Sequence, residues 1–341
     1  MTTQPAVHHF DEDLSFKTQA VTWLKSQYAL YILLALLVVA SITRGSIFWS
    51  GTNITNLLLQ MSIIGVVTLA QLIVVLTGGI DISVGSALGL AAVLAAGLFG
   101  GPSILLGLLV GLVIGGAIGA LNGWLVAFRG LEPFIVTLGM LALARGLVYA
   151  YGNGIPVNPG AAATYAQLGQ TTILGVPVLA LIWLACVGVV AYALNRTVWG
   201  RRVYAIGSNK TAARASGIPV QTTLWSVYIF AGLLVGLGGW MFLCRFASGT
   251  STAGNLMELE AIAAVVIGGA RLGGGHGKVF GTVVGTVIFA VIANLLSLLN
   301  VSTFLQDAFR GALILVAVTL ATVQFARIRA QKANSSSGSA A

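Results

Sequence analysis

Ten apolar runs of roughly membrane-spanning length follow one another along the chain, and they constrain its fold more than any other feature. A helix needs about 20 apolar residues to cross the roughly 30 Å of hydrocarbon in a bilayer. Only 7% of the residues are charged, too few to solvate the surface of a water-soluble domain. The sequence therefore predicts an all-α, polytopic transmembrane bundle of about ten spans. The runs lie at about 28–43, 54–76, 82–100, 102–127, 134–150, 174–194, 222–244, 258–270, 279–299 and 304–326, the eighth being short enough for a half-span.

The basic residues set the orientation of these spans. An even number of spans places both termini on one side, and lysine and arginine concentrate in cytoplasmic loops. With cytoplasmic termini, thirteen of the 17 basic residues lie inside: Lys17, Lys25, Arg129, Arg196, Arg201, Arg202, Lys210, Arg214, Arg271, Lys278, Arg327, Arg329 and Lys332. Arg44 and Arg245 lie outside, and Arg145 and Arg310 fall within spans. The excess of positive charge is thus a topology signal, and we expect no nucleic-acid partner.

The chain divides into one membrane domain with two tails. Residues 1–27 form a polar cytoplasmic segment without an evident cleavable signal, and residues 327–341 form a small polar tail that we expect to be disordered. Residues 28–326 hold the spans. The single cysteines Cys186 and Cys244 give no disulfide framework, and the histidines form no metal-binding constellation. No metal or other cofactor is expected.

Two glycine-rich turns fall at the predicted cytoplasmic face. The first is LTGGIDISVGS at 76–86 and the second is GGARLGGGHGKVFG at 268–281. The second is not a phosphate-binding P-loop, because Leu272 replaces the required glycine and Val279 follows Lys278. We therefore expect no ATP hydrolysis by this chain and no enzyme activity. Irregular backbone near a membrane is tolerated where it is buried or lines a wet cavity, so the two turns indicate the inner end of a pathway. Its candidate residues are Gly78, Gly79, Asp81, Ser83, Arg271, Gly273, Gly274 and Gly275.

Asp81 has two interpretations that do not exclude each other. Its carboxylate can cap the start of the third span, where the helix dipole favours an anion. It can also pair with Arg271 in the second turn, since charges near the membrane tend to pair.

A second charged group lies near the predicted outer face. Arg145 and Arg310 fall within about two turns of it, where long side chains often extend to the interface. The alternative is that they face the bundle and pair with acidic residues at an outer mouth. The acidic candidates are Glu258, Glu260 and Asp307.

The long inner loop at 195–221 holds five of the inner basic residues. Its segment NKTAARASG predicts a short surface helix, with a polar cap at the start and Gly217 and Pro219 at the end. On the outside, residues 151–173 form a polar loop long enough to cap the bundle.

Several motifs in this order resemble one family of permeases. They are TGGIDISVGSALGL, EPFIVTLGMLALARG, YGNGIPVN, GRRVYAIGSNKTAARASGI and ELEAIAAVVIGGARLGGGHG. Together they resemble the ribose, xylose, arabinose and galactose permeases of bacterial ABC importers, over roughly residues 28–326. The resemblance implies a multi-pass inner-membrane permease, a homodimer that works with ATP-binding ATPase subunits and a periplasmic sugar-binding protein.

The resemblance also implies a coupling helix that docks on the ATPase. Its residues would be Asn209, Lys210, Thr211, Ala212, Ala213, Arg214 and Gly217, with Thr211 where related importers carry an acidic residue. No span carries the chain of buried carboxylates and histidines expected of a proton-coupled carrier. Two alternatives remain open at this point. The same machinery can carry a nucleoside, an autoinducer-like furanone or an amino acid, or the chain can be a self-sufficient facilitator.

Overall fold

The computed structural model describes residues 28–98, 103–302 and 304–312, together with positions 315 and 319. The predicted tails at 1–27 and 327–341 lie outside the described residues, as does most of the predicted tenth span. Apart from one short hairpin, the regular structure of the described part is helical. Its elements are α1 (Tyr28–Phe48), α2 (Gly51–Leu76), α3 (Val84–Gly97), α4 (Ile104–Ala127), α5 (Pro133–Gly152), α6 (Ala162–Gln170), β1 (Thr172–Ile173), β2 (Val176–Pro177), α7 (Val178–Arg196), α8 (Val198–Ser208), α9 (Lys210–Ala215), α10 (Val220–Phe246), α11 (Met257–Ile267) and α12 (Val279–Leu298).

Seven helices in the described part are long and apolar enough to cross a membrane: α1, α2, α4, α5, α7, α10 and α12. The prediction of a polytopic helical membrane protein is confirmed. Two of the predicted spans are much shorter as helices, since α3 has 14 residues and α11 has 11. At 1.5 Å per residue these measure about 21 and 16 Å, less than the hydrocarbon thickness. Each follows a non-helical stretch, at 77–83 and 247–256, which makes them half-helices.

The closest packing in the bundle joins α4 to α10 through glycines. Gly111, Gly115 and Gly119 recur every fourth residue on α4 and face Gly232 and Gly236 on α10. A Cβ atom placed on Gly115 would lie 2.6 Å from the backbone nitrogen of Gly236. Because lipid gives membrane helices no hydrophobic reason to associate, such backbone contact and its dispersion energy hold them together. The two helices therefore pack as one unit, and both of them also contact α3.

α2 occupies the middle of the bundle and packs against α7, α10, α11 and α12. In the first turn of α2, Asn53 exchanges two amide hydrogen bonds with Asn294 of α12, of 3.1 and 2.8 Å. Asn53 also donates to the Phe48 carbonyl at 2.9 Å. These buried amides satisfy each other where water is excluded, and they fix the register of α2 against α12.

Candidate functional site

The stretch that follows α10 runs into the bundle along α3. Gly249 packs against Ala92 and Val93, Ala253 against Gly89, and Gly254 against Gly85. Eight helical residues separate Val93 from Gly85, a descent of about 12 Å. The first turn of α11 therefore lies inside the bundle beside the first turn of α3. We call residues 84–89 and 253–258 the half-helix junction.

Arg145 of α5 ties this stretch in place. Its Nη1 atom donates hydrogen bonds to the carbonyl oxygens of Ser251 and Ala253, at 3.0 and 2.8 Å. Arg145 also interacts electrostatically with Glu258 in the first turn of α11. It faces the bundle, as one of the two interpretations predicted, although its hydrogen bonds go to carbonyl groups and not to a carboxylate.

Glu258 sits at the centre of the junction. Its Oε2 atom packs against Gly85, is buried, and has no hydrogen-bond partner among the described residues. A side chain at Gly85 would displace it. The first turns of both half-helices, where a helix carries partial positive charge, lie beside this carboxylate. Transporters use such broken helices to form polar sites inside the membrane.

Two other predicted outer residues, Asp307 and Arg310, lie within the last described helical segment, 304–312. Arg310 and Asp307 form an ion pair of 3.3 Å. Arg310 also interacts electrostatically with Glu260, which is buried on α11. The five outer residues therefore form two groups, one around Glu258 and the other around Glu260, on opposite sides of the first turn of α11. Their role at an outer mouth stays a prediction.

Asp81 anchors the start of α3. Its Oδ1 atom accepts a hydrogen bond from the Ser83 backbone N–H at 2.8 Å and another from the Ser83 hydroxyl at 2.6 Å. Asn122 of α4 donates to the same hydroxyl at 3.0 Å, and the backbone N–H of Ile82 donates to Thr137 of α5 at 3.2 Å. Asp81 therefore binds Ser83, the N-cap residue of α3, and not a backbone N–H of the helix itself. Capping of the first turn by Asp81 stays a prediction. The pairing with Arg271 stays a prediction.

We expect Asp81→Asn to transport normally and Asp81→Ala to lose stability. The amide keeps an oxygen in place for Ser83, whereas alanine leaves the buried N–H of Ser83 without its acceptor, a loss of about 1–3 kcal/mol. Thermal unfolding in detergent and uptake in vesicles measure the two effects. If Asp81→Asn also abolishes uptake, and exchanging Asp81 with Arg271 restores it, the carboxylate acts through its charge.

The two glycine-rich turns, both predicted at the inner face, meet each other. A Cβ atom placed on Gly78 would lie 3.4 Å from the carbonyl oxygen of Gly273, and the Gly275 N–H donates to the Leu76 carbonyl at 2.9 Å. Gly78, Gly274 and Gly275 have positive φ, a conformation that glycine adopts without strain. The contact passes through Gly78, while Ser83 lies deeper, against Asn122. We call residues 76–79 and 273–275 the inner junction.

His276 follows the inner junction. Partial burial, and the positive charges of Arg271 and Lys278, lower the pKa of His276. The imidazole therefore stays neutral at physiological pH, and the turn carries the charge of its arginine and lysine alone. The next residue, Gly277, accepts a hydrogen bond from the hydroxyl of Tyr204 on α8 at 2.9 Å.

The short surface helix predicted in the inner loop is α9. Asn209 caps it by accepting the N–H of Ala212 at 2.9 Å, and Gly217 ends it with a φ of +77°. Ala213 is buried, whereas Lys210, Thr211 and Arg214 are exposed. The helix is therefore fixed to the bundle on one side and leaves its polar side available to a partner.

The helix α8, which joins α9 to the inner junction, was not among the predicted site elements. Gly207 of α8 packs directly on the Leu76 carbonyl and on the backbone nitrogen of Gly275. It therefore touches both glycine-rich turns at the hydrogen bond that joins them. A signal was present in the sequence, because Gly200 and Gly207 are seven residues apart and so lie on one face of a helix. Both pack against backbone.

A family described as "Branched-chain amino acid transport system / permease component" matches residues 53–318. The ribose import permease protein RbsC of Bacillus subtilis is 41% identical over 290 residues, covering 84% of this chain and 90% of that protein. RbsC of Escherichia coli K12 is 39% identical, covering 87% and 93%. The xylose transport system permease protein XylH of the same strain is 35% identical, covering 84% and 88%. No solved structure matches the chain.

Proposed function

The chain belongs to the family of branched-chain amino acid transport system permease components, and we propose that it is the permease subunit of an ABC importer for a monosaccharide. The observation that carries the sugar assignment is the extensive likeness to ribose and xylose permeases, at 35–41% identity over most of both chains. The broader family description names amino acids, but these three relatives are named for sugars. The same relatives are named as transport proteins, in agreement with a chain that is not an enzyme.

The proposed energy source is a separate ATPase subunit that binds ATP and docks on α8 and α9. The exposed side chains of Arg201, Arg202, Lys210 and Arg214 lie on this surface. A movement of α9 passes through Gly207 to the inner junction, because Gly207 packs on the Leu76 carbonyl and the Gly275 nitrogen with no side chain between them. This arrangement supports a mechanism in which the motor opens and closes the inner end of the pathway.

The proposed pathway has the half-helix junction towards its outer end and the inner junction at its exit. Arg145, Glu258 and Glu260 offer polar groups that can replace the hydrogen bonds a neutral, hydroxyl-rich solute loses when it leaves water. With α3 and α11 each completed by its non-helical stretch, and with the tenth predicted span added, we infer ten crossings and two cytoplasmic termini. The chain would lie in the inner membrane.

Two further partners belong to the proposal. A periplasmic binding protein would deliver the sugar to the outer face, and a second copy of the chain would complete a homodimer. Open glycines on α5 favour close contact with another helix, since a Cβ atom at Gly139 or Gly146 would meet nothing within 4 Å. Small residues on a membrane-facing helix permit such an approach.

Reconstitution in vesicles tests the proposed function. The permease, its ATPase and its binding protein are placed in proteoliposomes with radiolabelled ribose or xylose outside. We expect uptake only with all three components and ATP. Uptake by the permease alone would instead identify a facilitator, and ATP-dependent uptake of a branched-chain amino acid in place of any sugar would overturn the cargo.

A further inference from the structure

The hairpin β1–β2 carries an unusual tip. Thr172 pairs with Pro177 and Ile173 with Val176, so Leu174 and Gly175 form a two-residue turn. Both have positive φ, of +52° and +81°. Turns of this kind normally hold Asn-Gly or Asp-Gly, since the left-handed conformation disfavours a residue such as leucine.

The same leucine is also fully exposed. Leu174 has a relative exposure of 100% and Ile173 one of 53%. The tip therefore combines an unfavourable backbone conformation with unburied apolar surface, and within the described part of the chain no contact of the Leu174 side chain offsets either cost. Something beyond the described residues must cover it, because a polar residue would serve better in water.

The length of α7 indicates what covers Leu174. The helix starts directly after the hairpin, and its inner end carries Asn195 and Arg196. The 17 apolar positions from Val178 to Leu194 measure about 26 Å, less than the roughly 30 Å of hydrocarbon. The sequence continues the apolar run outwards with Ile-Leu-Gly-Val-Pro at 173–177, which explains why the sixth span is predicted to begin at 174. The hairpin thus supplies the missing apolar length in a form other than helix.

We propose that Ile173 and Leu174 insert into the outer lipid leaflet and anchor the hairpin at the membrane surface. β2 contacts both α2 and α7, so the anchor sets the depth of these two helices. At its other end α7 leads through Thr197 directly into α8. The proposal rests on the orientation given under Proposed function and is independent of the cargo.

Electron paramagnetic resonance of the full-length permease in phospholipid vesicles tests this anchor. A nitroxide label is placed on Leu174→Cys and, as the matched control, on Asn158→Cys, an exposed polar position of the same outer segment. Cys186 and Cys244 are buried, and the unsubstituted protein gives the labelling background. We expect collisions with oxygen, relative to a water-soluble nickel chelate, to be several-fold more frequent at 174 than at 158. Equal, water-like values at both positions would overturn the proposal.

A second arm distinguishes lipid from a protein partner. If the label at 174 is water-exposed in vesicles and becomes immobilised when sugar-loaded binding protein is added, the tip is a docking surface and the lipid proposal is overturned.

A second variant tests Leu174 itself. Leu174→Asn suits the turn and keeps the hairpin, so a label on Ile173→Cys should move towards water in that background. An unchanged depth at 173 would contradict the anchor. None of these readouts uses transport, so failure of the sugar assignment would leave them intact.

Discussion

Gly115→Leu is expected to yield almost no folded permease. A side chain at this position would collide with the backbone of α10 at Gly232 and Gly236. Its Cβ atom would meet the carbonyl oxygen of Gly232 and would lie 2.7 Å from the Cα of Gly236. Overpacking of a core typically costs about 1–3 kcal/mol when side chains can move aside. Here the opposing atoms are backbone, so α4 and α10 must separate along their shared length. The yield of monodisperse protein in detergent and its thermal unfolding midpoint measure the effect.

Gly188→Leu on α7 is the control for this substitution. A Cβ atom at Gly188 meets nothing within 4 Å, so the same side chain should be tolerated there without loss of yield. Gly115→Ala should fall between the two. If Gly115→Leu folds as well as Gly188→Leu, the α4–α10 contact does not hold the bundle in the way described.

The long helices could be predicted from the sequence because their cause is local. A run of about 20 apolar residues in lipid must satisfy its own backbone hydrogen bonds, and a helix does so. The bounds of α2, α4 and α12 accordingly agree with the predicted runs to within a few residues. Hydropathy cannot tell a helix from another buried form, however. The runs that include α3 and part of the hairpin at 172–177 were predicted as plain spans, although each begins with non-helical chain. The eighth run, which contains α11, was predicted to be short enough for a half-span.

The candidate site shows the same division. The surface helix after Asn209 follows from local hydrogen-bonding rules and is present with its cap. The bond of Asp81 to Ser83, two residues on, is equally local. The contact of Arg145 with Ser251 and Ala253 joins residues more than 100 positions apart. No local pattern predicts which carbonyl groups an arginine will meet. The contacts of α8 with the inner junction were missed for a related reason, since the atoms that Gly207 meets lie in two distant turns.

Gly207→Leu is expected to uncouple ATP hydrolysis from sugar uptake while the permease still folds and binds its ATPase. The side chain would be driven between α8 and the hydrogen bond that joins Gly275 to Leu76. A misfit of about 1–3 kcal/mol that differs between two states of the junction shifts their equilibrium by about 5- to 150-fold. ATPase activity and uptake in the reconstituted complex measure the effect, with co-purification of the ATPase as the check on assembly.

The pattern of loss separates a transmission role from a docking role. Arg202→Ala removes an exposed side chain from the same helix without touching the inner junction, so any loss it causes should appear as weaker ATPase binding with uptake per bound ATPase unchanged. Gly207→Leu should do the reverse, because its position faces the turns and not the solvent side of α8. Gly207→Ala should give an intermediate loss of uptake at full ATPase binding. If Gly207→Leu instead releases the ATPase, or leaves uptake unchanged, the inner junction does not receive its movement through α8.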